Sequence, residues 1–558
     1  MSPSVAGRNL RLGAWCSTLS VLLFLLLFLA LPLAALLLKS LQNPEGLWVG
    51  LDNFVGFWRS PTAGRAALNS LTVAAIATPI TLLLAFALAF GVTRTAMKGK
   101  ALFRVAARIP LLAPSLLPAL SLLYLFGNQG LLRGWLMGHS IYGPIGIVMG
   151  ELFYCFPHAA MILITALSVA DARLYEAAEA LGAGPWRRFL TITLPGAVYG
   201  LINAAFVTFT LVITDFGIPK VLGGQYPVLA TDIYQQVVGL QNFGMGAVVG
   251  MALLTPAVIA FFAEKWGAKR QKALLSSRSV PYRPRPAPIA DWAMLGLCGL
   301  ILLWLLAILA MAGFASLVKF WPYNLHLTLS NYDFERFDEA GWSSFFHSLQ
   351  MAGWTAAAGS SFIFLGAYLL EKLPGMGLLK APIRLLAVTP LAVPGLVLGL
   401  SYIFFFNHPL NPLNGLYGGM AILVLSSCVH YYPVAHLTAV TALKQLDPEF
   451  EAVSASLKVD LGRTFWRVTL PLCLPALLDI ALYLFVNGMT TVSAVVFLYT
   501  PDTKPASVAI LNMDDSGAVA GAAAMAMMIV LSSAFVKAVH SGASRFLLSR
   551  TQRWREAR

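Results

Sequence analysis

Long apolar runs alternate along this chain with short stretches that hold the charges, glycines and prolines. The apolar runs are continuous rather than alternating. That pattern fits helices crossing a bilayer, which need ~20 apolar residues each and pair their own backbone groups within the helix. Twelve spans are predicted, at 14–38, 68–92, 109–126, 144–168, 194–215, 243–263, 292–316, 348–370, 385–406, 418–441, 470–493 and 517–539. The first run follows Arg8 and Arg11 but is longer than the roughly 7–15 apolar residues of a cleaved signal, so it reads as an anchor. The expected class is an all-α integral membrane protein in which both termini lie on one side.

The same pattern occurs twice. Leu51-Asp-Asn-Phe54 and Asn69-Ser-Leu71 return as Leu329-Ser-Asn-Tyr332 and His347-Ser-Leu349, 278 residues later. Pro110, Pro114, Leu120, Ser121 and Phe126 return as Pro390, Pro394, Leu400, Ser401 and Phe406, 280 later. Phe156-Pro157, Leu167, Asp171 and Leu194-Pro195 return as Tyr432-Pro433, Leu443, Asp447 and Leu470-Pro471, 276 later. Ordered prolines and loop polar residues at near-constant offset imply a duplicated six-span unit. Six spans return the chain to its starting side, so the copies share one orientation and a pathway is expected between them. The expected organisation is a first half at 1–263, a basic, proline-rich linker at 264–291 read as extended, and a second half at 292–558. Fusion of two formerly separate subunits explains this arrangement.

Composition sharpens the class. Of 558 residues, 58% are hydrophobic and 11% charged, with a mean hydropathy of +0.76; soluble domains carry about 25% charged residues. The net charge of +14 is distributed by side. Between alternate spans, 29 Lys and Arg fall on the face that holds both termini and 8 on the other. This bias assigns the termini to the cytoplasm and leaves no reason to invoke nucleic acid. Cys16, Cys155, Cys298, Cys428 and Cys473 are dispersed through apolar sequence and read as buried thiols, neither redox pair nor metal cluster.

One charged-face loop is unusual. Asp171 is positioned to cap a short alanine-rich helix, and Gly182 or Gly184 to end it. Too short to span, this helix is either an ordinary interfacial helix or a docking element for a partner.

Glu176-Ala-Ala178, Gly182 and Ile192-Thr-Leu-Pro195 resemble the EAA motif of the permeases of binding-protein-dependent ABC importers. The resemblance covers essentially the whole chain. It implies the type I importer fold, with Glu176, Ala177, Ala178 and Gly182 on a coupling helix that docks on an ATPase subunit. The second copy is degenerate: at offset 276 Ala452 matches Glu176 and Lys458 matches Gly182. A one-residue slip would align Glu451-Ala452 with the motif and lose the register of Leu457. Glu451, Ala452, Leu457 and Lys458 are therefore the second coupling candidates, and the two contacts are expected to be inequivalent. The resemblance is strongest to the fused permeases for iron(III), thiamine, polyamines and phosphonates. Segments Ile213-Thr-Asp-Phe-Gly-Ile-Pro to Tyr226, Ala230–Tyr234, Gln241–Phe243, Gly488–Tyr499, Pro501-Asp502 and Leu511–Asp515 resemble 2-aminoethylphosphonate permeases. The implied partners are two ABC ATPase subunits, which bind the ATP and magnesium, a periplasmic binding protein docking on loops 40–67, 216–242 and 317–347, and the lipid of a bacterial inner membrane.

No phosphate-binding GxxxxGK[ST] loop, HExxH or serine-nucleophile elbow occurs in the sequence, so neither a catalytic residue nor a metal ligand is assigned and the chain is expected not to be an enzyme. Polar groups at membrane depth are costly and are the pathway candidates: Asn203, Thr214, Asp215, Asp479, Asn487, Thr490 and Thr491, with Glu151, His158, His430 and His436 beside them. Asn203 and Asp479 match at offset 276 and read as packing hydrogen bonds or pathway groups. Asp215 has three readings: a helix cap, a partner of Lys220, or a site for a substrate ammonium. A twelve-span secondary transporter is the competing class. It expects acidic residues among the basic ones between spans two and three, and 93–108 has none.

Overall fold

The structure is a computed structural model that describes residues 5–43, 45–169, 171–274, 280, 282–373, 377–447, 449–457 and 459–551. Among these, ten helices are individually long and apolar enough to cross a bilayer, and two further bent pairs bring the total to twelve if each pair is one span. The bent pairs fall at the spans expected at 109–126 and 385–406. Lys100–Leu112 meets Leu116–Phe126 at 99°, and Leu378–Ala392 meets Gly395–Phe406 at 116°. The cause is proline: Pro114 and Pro394 force the preceding Ala113 (φ −99°, ψ 140°) and Val393 (φ −102°, ψ 111°) out of helical geometry. The linker expectation changes. The helix Phe243–Leu274 continues through 264–274, where Ala, Lys and Gln favour helix, and extended chain is described only at 280 and 282–287, among the prolines.

The chain forms two compact units, each discontinuous in sequence. One comprises Ser40–Phe337 with Ile510–Met527. In it Pro185–Thr214 crosses Pro144–Ser168 so closely that a Cβ on Gly200 would lie 2.3 Å from Ala166 Cβ. The helix Pro288–Leu317, which opens the second sequence half, packs here: Cys298 Sγ lies over Gly91, Trp304 meets Phe153 edge-on at 6.4 Å, and Asp291 accepts from Ala96 N–H at 2.8 Å.

The other unit comprises Met1–Lys39, Asp338–Ala509 and Met528–Arg558. Here the first helix of the chain packs among helices of the second half. Val21 and Leu25 are buried with Phe364, Tyr432 and Leu484. Phe24 meets Phe362 at 4.5 Å, Phe28 stacks on Phe406 at 5.7 Å, and Tyr402 donates to the Phe28 carbonyl at 2.7 Å.

The duplication extends to individual hydrogen bonds. Asn53 Nδ2 donates to the Ser40 and Gln42 carbonyls (3.0 and 2.8 Å), and Asn331 Nδ2 to those of Ser316 and Val318 (3.1 and 2.7 Å). Ser70 Oγ accepts from Leu229 N–H, and Ser348 Oγ from Ala506 N–H, both at 2.8 Å. The repeated Asn and Ser of the sequence motifs thus close the same loops in each copy. Four cysteines are buried as expected; Cys16 is exposed on the surface of its helix.

Candidate functional site

The first loop helix, Ala172–Ala180, begins at Asp171, whose carboxylate accepts from Arg173 N–H at 3.1 Å. The Arg173 guanidinium also bonds that carboxylate, and with the backbone amide it holds the Asp171 pKa down at about 2. Gly182 ends the helix. Its N–H reaches Glu179 O and the Ala183 N–H reaches Ala178 O, both at 2.9 Å, a closure that requires the left-handed φ of +72° found at Gly182.

The second loop helix, Glu449–Ser456, repeats these bonds at offset 276. Asp447 Oδ1 accepts from Glu449 N–H at 3.0 Å, and Val459 N–H reaches Ser454 O at 2.9 Å. The structure therefore holds the 276 register. Ala452 occupies the place of Glu176, and Glu451 that of Tyr175. Lys458, the match to Gly182, lies outside the described residues.

Each loop helix is tied down by a cation at the end of its half's second span. In the first half, Arg94 is 9% exposed; its guanidinium carbon lies 5.3 Å from the Tyr175 ring centroid, and its Nη2 bonds the Leu167 carbonyl. Tyr175 in turn shares a 2.9 Å hydrogen bond with Thr193. In the second half, Lys372 forms a 2.6 Å ion pair with Glu451. Each half also has a matched aromatic cluster: Phe189 against Phe86 and Phe90 (6.1 and 5.8 Å), and Phe465 against Phe364 and Tyr368 (6.4 and 4.7 Å). Phe189 and Phe465 each open a π-helical turn, Phe189–Thr193 and Phe465–Thr469, just before the repeated Leu-Pro. Pro195 and Pro471 have no N–H, and in the preceding turns Leu194 and Leu470 donate one residue further back than in an α-helix, to Phe189 and Phe465.

The faces opposite these ties are open. Leu174, Ala177 and Leu181 form an exposed strip on the first helix, and Phe450, Val453 and Leu457 form its counterpart on the second. Glu176 and Ala452 are exposed, whereas Ala178 is half-buried. Of these strips, the sequence reading named Ala177 and Leu457 and missed Leu174, Leu181, Phe450 and Val453. Their i, i+3, i+7 spacing at matched positions was the available signal.

The intramembrane polar candidates are divided between the two units. Thr214 and Thr490 occupy matched positions and each donates to a carbonyl one turn back, of Thr210 and Val486 (2.8 and 3.0 Å). Asn487 donates to Tyr483 O at 2.8 Å, and Thr491 is buried with its carbonyl accepting from Ser507. Asp479 lies 3.1 Å from His540 Nε2, while its match Asn203 sits within the other unit. Asp215 follows the helix Leu194–Thr214, and its carboxylate accepts from Ile218 N–H at 2.9 Å, in the first turn of Gly217–Leu222. Lys220 pairs instead with Asp515 at 2.9 Å. Asp215 also faces the fully buried Glu151; their matches at offset 276 are the uncharged Thr491 and Ser427, so this acidic pair belongs to the first half alone. His430 and His436 pack against Tyr431 and Tyr432 at 4.7 and 5.6 Å, and His158 against Tyr154 at 6.1 Å.

Comparison with known proteins places this architecture. The ferric transport system permease protein FbpB of Actinobacillus pleuropneumoniae is 28% identical, over 89% of this chain and 74% of that protein. The putative ferric transport system permease protein FbpB 1 of Haemophilus influenzae is 29% identical, over 79% of this chain and 71% of its own length. The probable sulfate transport system permease protein cysT of Nephroselmis olivacea is 26% identical, matching 93% of its own length to only 48% of this chain. The family described as binding-protein-dependent transport system inner membrane component matches twice, at residues 46–273 and 363–545. The chain belongs to that family and is an ABC importer permease with two permease domains fused in one polypeptide.

Proposed function

We propose that this chain forms the whole transmembrane pathway of its importer, receiving a small solute from a periplasmic binding protein and coupling two ATPase subunits to its release inward. The observation that carries this reading is the pair of loop helices, Ala172–Ala180 and Glu449–Ser456. They share caps and termination at offset 276, each is tied to the end of its half's second span, and each presents an apolar strip to solvent. Apolar strips exposed on polar loops mark docking surfaces. By the charge bias they face the cytoplasm, with both termini, where an ATPase would meet them. ATP-driven approach of the two subunits would move the helices, and the aromatic clusters of Phe189 and Phe465 would pass that motion to the spans.

For the solute, the reading is 2-aminoethylphosphonate, supported by the resemblance of residues 213–226, 230–234, 488–499 and 511–515 to permeases for that compound. Ferric iron is the second reading, favoured by the ferric permeases that match most of the chain. The Asp215 carboxylate accepts from Ile218 N–H and supplies no argument for either.

Leu181→Glu with Leu457→Glu places a charge in each strip without touching a tie. Loss of ATPase co-purification with normal membrane insertion is expected, and retention would remove the docking reading. Titrating the partner binding protein with 2-aminoethylphosphonate and with iron(III) decides the solute; failure to bind the phosphonate ends that assignment.

A further inference from the structure

The segment joining the halves does more than span a gap. Val280 N–H approaches Asp171 Oδ1 at 3.4 Å, and the Val280 carbonyl accepts from Ala172 N–H at 2.9 Å, both at the N-terminus of the first loop helix. Two residues on, the Tyr282 ring lies 4.5 Å from the Tyr175 ring and 5.0 Å from the Arg94 guanidinium carbon. Arg94 thus meets two adjoining tyrosine rings, one from the loop helix and one from the linker. Further along, Arg285 Nη1 bonds Glu179 at 2.6 Å near the helix C-terminus, where Arg188 also approaches Glu179 at 3.7 Å. Over six residues the linker therefore touches the first loop helix at its beginning, middle and end. The opposite face, with Leu174, Ala177 and Leu181, stays open.

Among the described residues, none lies across the second loop helix in this way. Where the first half has Arg94, Tyr175 and Tyr282, the second has the ion pair of Lys372 with Glu451. A permease made of two identical subunits has no chain to lay across one loop helix; a fused permease has one, next to its first copy.

We infer that Tyr282 is a positioning residue of the first coupling element: the linker sets a second ring beside Tyr175 and against Arg94, and this three-way contact fixes the loop helix to the end of the second span, so that motion imposed on the helix reaches that span. The stabilisation comes from the buried guanidinium against two adjoining rings and from the contact of the rings with each other, so an aromatic ring is required at 282 and its hydroxyl is not. The inference rests on the importer reading for its functional consequence and on geometry alone for its structural one.

The test uses the full chain in its assembled transporter, with Tyr282→Ala and Tyr282→Phe. In Tyr282→Ala, hydrogen exchange across residues 172–183 should accelerate while that across 449–457 stays unchanged. Binding-protein-stimulated ATP hydrolysis should fall roughly 3- to 10-fold with ATPase association preserved, and Tyr282→Phe should restore both. Wild-type exchange at 172–183 in Tyr282→Ala overturns the inference. So does accelerated exchange in Tyr282→Ala that Tyr282→Phe fails to correct. If the wild-type complex shows no stimulated hydrolysis, the importer reading fails, and the exchange measurement still decides the linker contact.

Discussion

Tyr175 and Glu451 fill one position in the two repeats with unlike chemistry, an aromatic face for Arg94 and a carboxylate for Lys372. The difference has a measurable consequence. An ion pair whose carboxylate is one-third exposed is screened by salt and contributes about 1 kcal/mol or less; a guanidinium buried on a ring is screened far less. In a Glu179→Gln background, which removes the exposed pairs with Arg188 and Arg285, hydrogen exchange at 449–457 should therefore accelerate with salt more steeply than exchange at 172–180; equal salt dependence would refute the assignment of the two ties. The cap at Asp171 behaves differently again. Its native pKa is about 2, against an ordinary 3.8, so its contribution is complete above the ordinary value and is lost only as pH falls toward 2. Protection of the first loop helix should be flat from neutral pH down to about 5 in wild type, and Asp171→Ala should lower it at every pH in that range. A midpoint near neutrality would contradict the arrangement. The cap at Asp171 was legible in the sequence because a cap acts within three residues, and Asp447 was marked as its match at offset 276. The ties were not, since nothing local says that Arg94 and Tyr175 meet.

At the scale of elements, proline marked the irregularities in advance without specifying their form. The repeated Pro114 and Pro394 stood out as matches, yet continuous apolar sequence reads as a straight span, and the bends of 99° and 116° arise from backbone restriction that hydropathy does not see. The Leu-Pro pairs likewise announced themselves by spacing, while the π-helical turns before them depend on which carbonyl the preceding residue finds. Helix crossings were less legible still. Gly200 is one glycine among 46 in the sequence, but in the structure a Cβ there would sit 2.3 Å from Ala166 Cβ. Gly200→Ala should destabilise the unit by about 1–3 kcal/mol through overpacking, read as a lower thermal midpoint in detergent. Ala166→Gly in the same chain should recover most of that loss, because it removes the atom in collision; no recovery would mean that the crossing is not the close contact.

Across the whole molecule, the two halves legible as repeats differ from the two units that pack. Sequence order sets the duplication, but burial assigns the helix Trp15–Ser40 to the unit built from Asp338–Ala509, and the helix Pro288–Leu317 to the unit built from Ser40–Phe337. Each half lends its opening helix to the other half's core. Hydropathy could not reveal this, because an apolar helix is satisfied equally by lipid and by a neighbouring helix; the determinants are shape contacts such as Tyr402 on the Phe28 carbonyl. The exchange predicts where damage to the first helix is felt. Leu25 and Leu29 are 0% exposed, and replacing each by Ala should cost roughly 2–5 kcal/mol. That cost should fall on the second half: limited proteolysis and hydrogen exchange of Leu25→Ala with Leu29→Ala should show loosening within 360–443, beside Phe364 and Tyr432, while 144–168 keeps its wild-type protection. Loosening confined to the first half would show that the opening helix serves its own repeat and that the exchange between halves does not hold.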